Sequence, residues 1–205
     1  MLFYETIDAT TLELLKKLQS NKVFENLLLV GGTSLALQMG HRVSIDIDLF
    51  GKIDINTIEL NKLLSSYGEI VKIQQTNNIH IFSLNGVKTD IVNYSYPWIR
   101  QHVSFGGLKL ASKEDIAAMK LSAITGRGTK KDFVDLYFLL KHFTLSEMLS
   151  FYEEKYADGS VFMVLRSLSY FDDAEEDPMP RMLHKTDWGN VKTKIMSEIK
   201  KVSGT

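Results

Sequence analysis

Leu12, Leu15 and Leu18 recur at helical spacing and predict an amphipathic helix over residues 7–19. The apolar run at 27–30 ends in Gly31-Gly32, the pattern of a short buried strand entering a turn. Thr33 can cap a short helix that stops at Gly40. Residues 43–50 then alternate strictly. Val43, Ile45, Ile47 and Leu49 fall on one face, with Ser44, Asp46 and Asp48 on the other, a period of two that predicts a strand. A helix over 55–67 follows, then strands over 69–75, 78–84 and 88–95. Asn85-Gly86 marks a hairpin between the last two strands.

After Pro97 the periodicity becomes helical, with helices expected over 112–125, 129–143, 145–157, about 160–170 and 187–202. Ser112 with Asp115, and Thr129 with Asp132, have the spacing of capping pairs. The acidic stretch FDDAEEDPMP, from residue 171, reads as an exposed loop before the last helix. The whole is an α+β chain: an α/β core over 1–100 with a mixed sheet, and a helical region over 101–205.

Composition narrows the chemistry. The 205 residues contain no cysteine, which excludes disulfides, thiolate metal sites and a cysteine nucleophile. A metal would need carboxylate or imidazole ligands. The N-terminal residues lack the pattern of a signal peptide, and no apolar run approaches a membrane span, so a soluble cytoplasmic protein without a membrane partner is expected. With 24 basic and 25 acidic residues the net charge is −1, yet residues 109–131 hold six basic residues against Glu114 and Asp115. That segment is a candidate for contacts to phosphates.

The most informative segment is GGTSLALQMGHRVSIDIDLF, residues 31–50. Gly31 and Gly32 are either a plain turn or a place where backbone comes close to a phosphate, with Thr33 or Ser34 offering a hydroxyl at a helix N-terminus. Asp46 and Asp48 are either two solvated acids or a pair of hard oxygen ligands for Mg²⁺. Two like charges so close are costly without a cation. Asp90, within a strand, is a third acid that either joins them or pairs with Lys88. Three convergent acids with Mg²⁺ can align an attacking hydroxyl with an α-phosphate, or serve phosphodiester hydrolysis.

Gly-Gly-Thr-Ser, a short helix and Asp-Ile-Asp resemble the signature of polymerase-β-type nucleotidyltransferases. Taken with KTDIV at 88–92 and DIAAMKLSAITGRGTKKDFVDLYFLL at 115–140, the chain resembles the AbiEii/AbiGii-type nucleotidyltransferase toxins over roughly residues 25–143. The resemblance implies a polymerase-β-like core completed by the helical region. It implies an Mg²⁺-dependent enzyme that moves NMP from an NTP to an acceptor hydroxyl, with tRNA or another RNA as acceptor. It also implies a toxin–antitoxin or phage-defence role with a cognate antitoxin protein. By that resemblance Asp46, Asp48 and Asp90 would hold metal. Gly31, Gly32, Thr33, Ser34 and Arg42 would face the nucleotide, and Lys120 would contact the triphosphate with Arg127, Lys131 and Asp132 nearby.

The residues leave several alternatives open. Lys120 also suits a solvated helix position. Asp132 also suits a cap for Thr129, and Asp135 a partner for Lys131 or Arg127. Tyr137 and Phe138 read as core. A non-catalytic nucleotide- or protein-binding module of the same fold is the competing functional class.

Overall fold

Leu27, Leu28 and Leu29 are all buried and form a short strand inside one seven-stranded mixed sheet, in a computed structural model that describes residues 1–204. In chain order the strands are β1 (Leu27–Leu29), β2 (Ile47–Gly51), β3 (Ile70–Gln75), β4 (Ile79–Leu84), β5 (Val87–Asn93), β6 (Val103–Phe105) and β7 (Leu108–Leu110). The helices are α1 (Ala9–Ser20), α2 (Gly31–Met39), α3 (Thr57–Ser65), α4 (Lys113–Gly126), α5 (Lys130–Leu139), α6 (Leu145–Lys155), α7 (Val161–Leu168), α8 (Asp172–Glu175) and α9 (Trp188–Ser203). The class is α+β.

The sheet order is β3-β4-β5-β2-β1-β7-β6. β2 pairs with β5 and β1 with β7 in parallel; the other neighbours are antiparallel. Asn85 and Gly86, at φ 52° and 81°, make the tight turn between β4 and β5, as the Asn-Gly signal implies. Leu14, Leu15 and Leu18 of α1 and Leu60 and Leu64 of α3 pack with Leu49, Phe82 and Ile91 of the sheet in one apolar core.

Three departures from the sequence reading have physical causes. The strand expected over 43–50 begins only at Ile47, and Ile45 is 56% exposed despite its place in the alternation. Alternation records which side chains are apolar, not whether a partner strand runs alongside. The Gly-Gly pair is the first turn of α2 rather than a turn before it; Val30 is the N-cap, and Thr33 lies inside the helix. Strands β6 and β7 lie within the region expected to be helical, in a stretch for which no element was expected. They are three residues each, too short for a period to show, and β7 is secured by its parallel pairing with β1.

The chain forms two compact units, residues 1–95 with 102–111, and residues 96–101 with 112 onward. The return of 102–111 supplies β6 and β7 to the sheet of the first unit. In the second unit, buried Asp115 draws in the segment 96–101. Its carboxylate accepts from the backbone N–H of Ile99 at 3.0 Å and of Arg100 at 3.2 Å, from the Ser112 hydroxyl at 2.6 Å and from Lys155 Nζ at 2.8 Å. Lys155 also donates to the Pro97 carbonyl at 2.7 Å and stands over the Trp98 ring. Burial lowers the pKa of Lys155, against the pull of Asp115. Phe133, Phe171 and Trp188 form an aromatic cluster with centroids 5.0–5.8 Å apart. The acidic stretch contains the one-turn α8, tied to α9 where Lys192 and the Trp188 indole both meet Glu175. Among the described residues, no helix is long and apolar enough to cross a membrane.

Candidate active site

The first unit positions its acids through α2 and two adjacent strands. Gly31 opens α2 with φ +67°, and a Cβ built there would lie 2.2 Å from Asp48 Oδ2. The carboxylate of Asp48 therefore lies against the helix N-terminus, where exposed N–H groups and the helix dipole favour an anion. Val30 N–H donates to the Asp48 carbonyl at 2.9 Å, fixing that strand residue beside the start of the helix. β2 and β5 pair in register with Asp48 opposite Asp90. Asp90 takes Lys88 Nζ on both carboxylate oxygens, at 2.7 and 2.8 Å, so its pairing with Lys88 is realised.

Asp46 lies in the irregular segment just before β2. Thr33, 1% exposed, donates its hydroxyl to the Asp46 carbonyl at 2.5 Å and has the Ser44 hydroxyl at 2.9 Å. The Thr33 hydroxyl thus latches the segment that carries the first acid. Ser44 was not singled out from the sequence, although the alternation set it on the face of Asp46 and Asp48. Ser34 is also buried, with its hydroxyl accepting from Gln38 Nε2 at 3.2 Å. Gln38 donates as well to the Ala111 carbonyl at 3.0 Å, which joins α2 to the end of β7. Gly32 is partly exposed in the first turn of α2, and Arg42 is buried with its guanidinium on the Val43 carbonyl at 3.0 Å.

In the second unit, Lys120 is buried rather than solvated. Its Nζ lies 2.9 Å from Asp132 and 2.6 Å from Asp135, both fully buried. Asp135 therefore meets Lys120, a partner its spacing alone did not suggest. The Thr129 hydroxyl bonds the Asp132 carboxylate, and Thr129 makes no side-chain cap to the backbone of α5, so the capping role expected of the pair is replaced by a side-chain link. Burial raises the pKa of Asp132, but the Lys120 charge and hydrogen bonds from Lys120 and Thr129 outweigh it, and the net shift is downward. Arg127 Nε approaches Asp132 at 3.4 Å with a side chain 63% exposed, and Lys131 is exposed. Phe138 is buried and Tyr137 half-buried, as core residues.

Among the described residues, no group of three or more His, Asp or Glu side chains forms a metal cage. Mg²⁺ is ordinarily held by one or two carboxylates together with substrate phosphates. Asp46 and Asp48 are the carboxylates that could hold it in that way. His80 is buried in β4 with its pKa lowered by desolvation, and it sits on the core-facing side with Phe82 and Leu84.

The mixed sheet, with α2 opening on Gly31-Gly32 against Asp48 of β2, is a fold found elsewhere. Solved structures share it. JHP933 from Helicobacter pylori superposes with a TM-score of 0.53 at 17% identity, covering 97% of this chain and 94% of that one. A provisionally named nucleotidyltransferase from H. pylori superposes with a TM-score of 0.56 at 18% identity, covering 95% and 92%. In sequence, the chain is 33% identical over 171 residues to the uncharacterized protein aq_aa25 of Aquifex aeolicus, covering 80% of this chain and 83% of that relative. Residues 13–106 and 99–201 match the family described as nucleotidyl transferase AbiEii toxin, type IV TA system. The chain belongs to that family and is a nucleotidyltransferase.

Proposed function

We propose that this enzyme transfers NMP from an NTP to a hydroxyl of RNA, the 3′ end of tRNA being the favoured acceptor, in an Mg²⁺-dependent reaction. The observation that carries the reading is the placement of Asp48: against Gly31 at the start of α2, in register with Asp90, and two residues beyond the latched Asp46. The acceptor oxygen forms a bond to the α-phosphorus, the bond to the bridging oxygen of the β-phosphate breaks, and pyrophosphate leaves. The acceptor proton passes to a carboxylate oxygen. When bound, Mg²⁺ would neutralise phosphate charge and align the two oxygens, with Asp46 and Asp48 as its ligands and Asp90 as the third acid.

The chain's own contribution is mainly positioning. Thr33 and Ser44 set the backbone of Asp46, and Gly31 leaves room for Asp48. Gly32, Ser34 and Arg42 stay assigned to the nucleotide side of the first unit. In the second unit, the exposed Arg127 and Lys131 are the cations assigned to phosphates of the nucleotide or of the RNA backbone, while Lys120 with Asp132 holds α4 to α5. As a member of a type IV toxin–antitoxin family, the protein would act as the toxin, restrained by a cognate antitoxin.

The test is incubation with each NTP labelled at the α-phosphate, Mg²⁺ and total cellular RNA. Labelled RNA is expected, and labelled protein instead would overturn the acceptor. The Asp46→Ala/Asp48→Ala protein should keep its circular dichroism spectrum and label nothing. If it still labels RNA, the site is wrong.

A further inference from the structure

The second unit contains a cleft of about 440 Å³ between the end of α4 and the stretch that runs from α7 to α8. That volume lies within the range of small-ligand sites, about 300–1,000 Å³. Arg127 and Arg166 line it, with Ser167, Ser169, Tyr170 and Asp173. Arg166 is exposed, and Tyr170 is 52% exposed with its hydroxyl 3.4 Å from Asp173. Arg127 is tethered on its Nε edge to Asp132.

Each group bears on the ligand. Two guanidinium groups match the paired oxygens of a phosphate better than any other cations do. The small side chains of Ser167 and Ser169 leave room for a sugar-phosphate chain, with the Ser169 hydroxyl turned onto the Arg166 carbonyl at 2.8 Å. The exposed Tyr170 ring is a face for a base. Charge separates the candidates. Arg127 already faces Asp132 and the cleft also holds Asp173, so its positive charge is modest; that suits a single phosphodiester and falls short of a triphosphate. The basic segment 109–131 contains no aromatic residue, and the fold supplies one from beyond α7.

We propose that this cleft binds one nucleotide unit of single-stranded RNA, with the phosphodiester between Arg127 and Arg166 and the base against Tyr170. The inference rests on the reading of RNA as acceptor and makes this cleft part of the acceptor's binding surface.

The test is fluorescence anisotropy of a labelled ten-nucleotide single-stranded RNA with the full chain, without NTP or Mg²⁺. Arg166→Glu should weaken binding at least tenfold and reduce the dependence on salt. Tyr170→Ala should weaken it about fivefold or more with the salt dependence unchanged, and Tyr170→Phe should bind as the parent does. The Asp46→Ala/Asp48→Ala protein should bind normally, so loss of transfer and loss of RNA binding are read apart. Unchanged affinity in both cleft variants would overturn the proposal. So would an acidic peptide that competes as well as unlabelled RNA. A chain that binds RNA through the cleft but transfers no nucleotide would sink the catalytic reading and leave the cleft standing.

Discussion

The carboxylate of Asp48 occupies the space that a side chain on Gly31 would need, 2.2 Å from where its Cβ would stand. The glycine also holds φ +67°, which costs an L-residue about 1–2 kcal/mol. Gly31→Ala should therefore lower stability by at least that amount and displace Asp48, abolishing nucleotide transfer. Adding Asp48→Ala should relieve the clash but not the backbone strain. Thermal unfolding of both variants beside a transfer assay checks this, and a fully active Gly31→Ala protein would refute the placement.

Thr33→Val keeps the shape of the side chain and removes its donor. The Asp46 carbonyl then loses its buried partner, at about 1–3 kcal/mol. Transfer should fall about tenfold to a hundredfold because the acid is misplaced. Thr33→Ser should restore most of the rate. Equal losses of rate in the valine and serine proteins would show that the hydroxyl latch is not the cause.

Lys120→Met should destabilise the protein by about 3–5 kcal/mol, because it leaves Asp132 and Asp135 buried without their lysine. The pH dependence has a definite sign. The folded-state pKa of Asp132 is depressed, so its contribution is complete above the unfolded carboxylate value of about 4 and is lost as pH falls through the lower folded value. Urea unfolding should show the stability gap between the parent and Asp132→Asn shrinking below about pH 4.

Lys88 holds both oxygens of Asp90, at 2.7 and 2.8 Å, on a partly exposed surface. Lys88→Ala should cost about 1 kcal/mol or less in stability. If Asp90 is the third acid, releasing it should lower the Mg²⁺ concentration needed for half-maximal transfer, while Asp90→Asn should raise it. Magnesium titrations of the two variants that coincide with the parent would remove Asp90 from the site.

The parts of the fold legible in the sequence are those with long or paired signals. α1 and the β4–β5 hairpin follow from leucine spacing and from Asn85-Gly86, because local chemistry decides them. The start of β2 was not legible: Ile45 and Ile47 look alike in the pattern, but only Ile47 has β5 beside it. At the site, the order of Gly31, Asp46, Asp48 and Asp90 was visible. The Thr33–Ser44 latch was not, since it joins residues eleven apart through an irregular segment. Lys120 could not be placed, because its buried partners lie twelve and fifteen residues further along, on the next helix.

The anchoring of residues 96–101 by Asp115 and Lys155 decides how this gene can be divided. A fragment starting at Ser112 would keep that buried pair but strip Asp115 of the amides of Ile99 and Arg100, and Lys155 of the Pro97 carbonyl. No single cut separates the helical part intact. The smallest piece that retains its own anchor starts at residue 96 and carries 102–111, the β6–β7 hairpin, as an excursion whose sheet has been left behind.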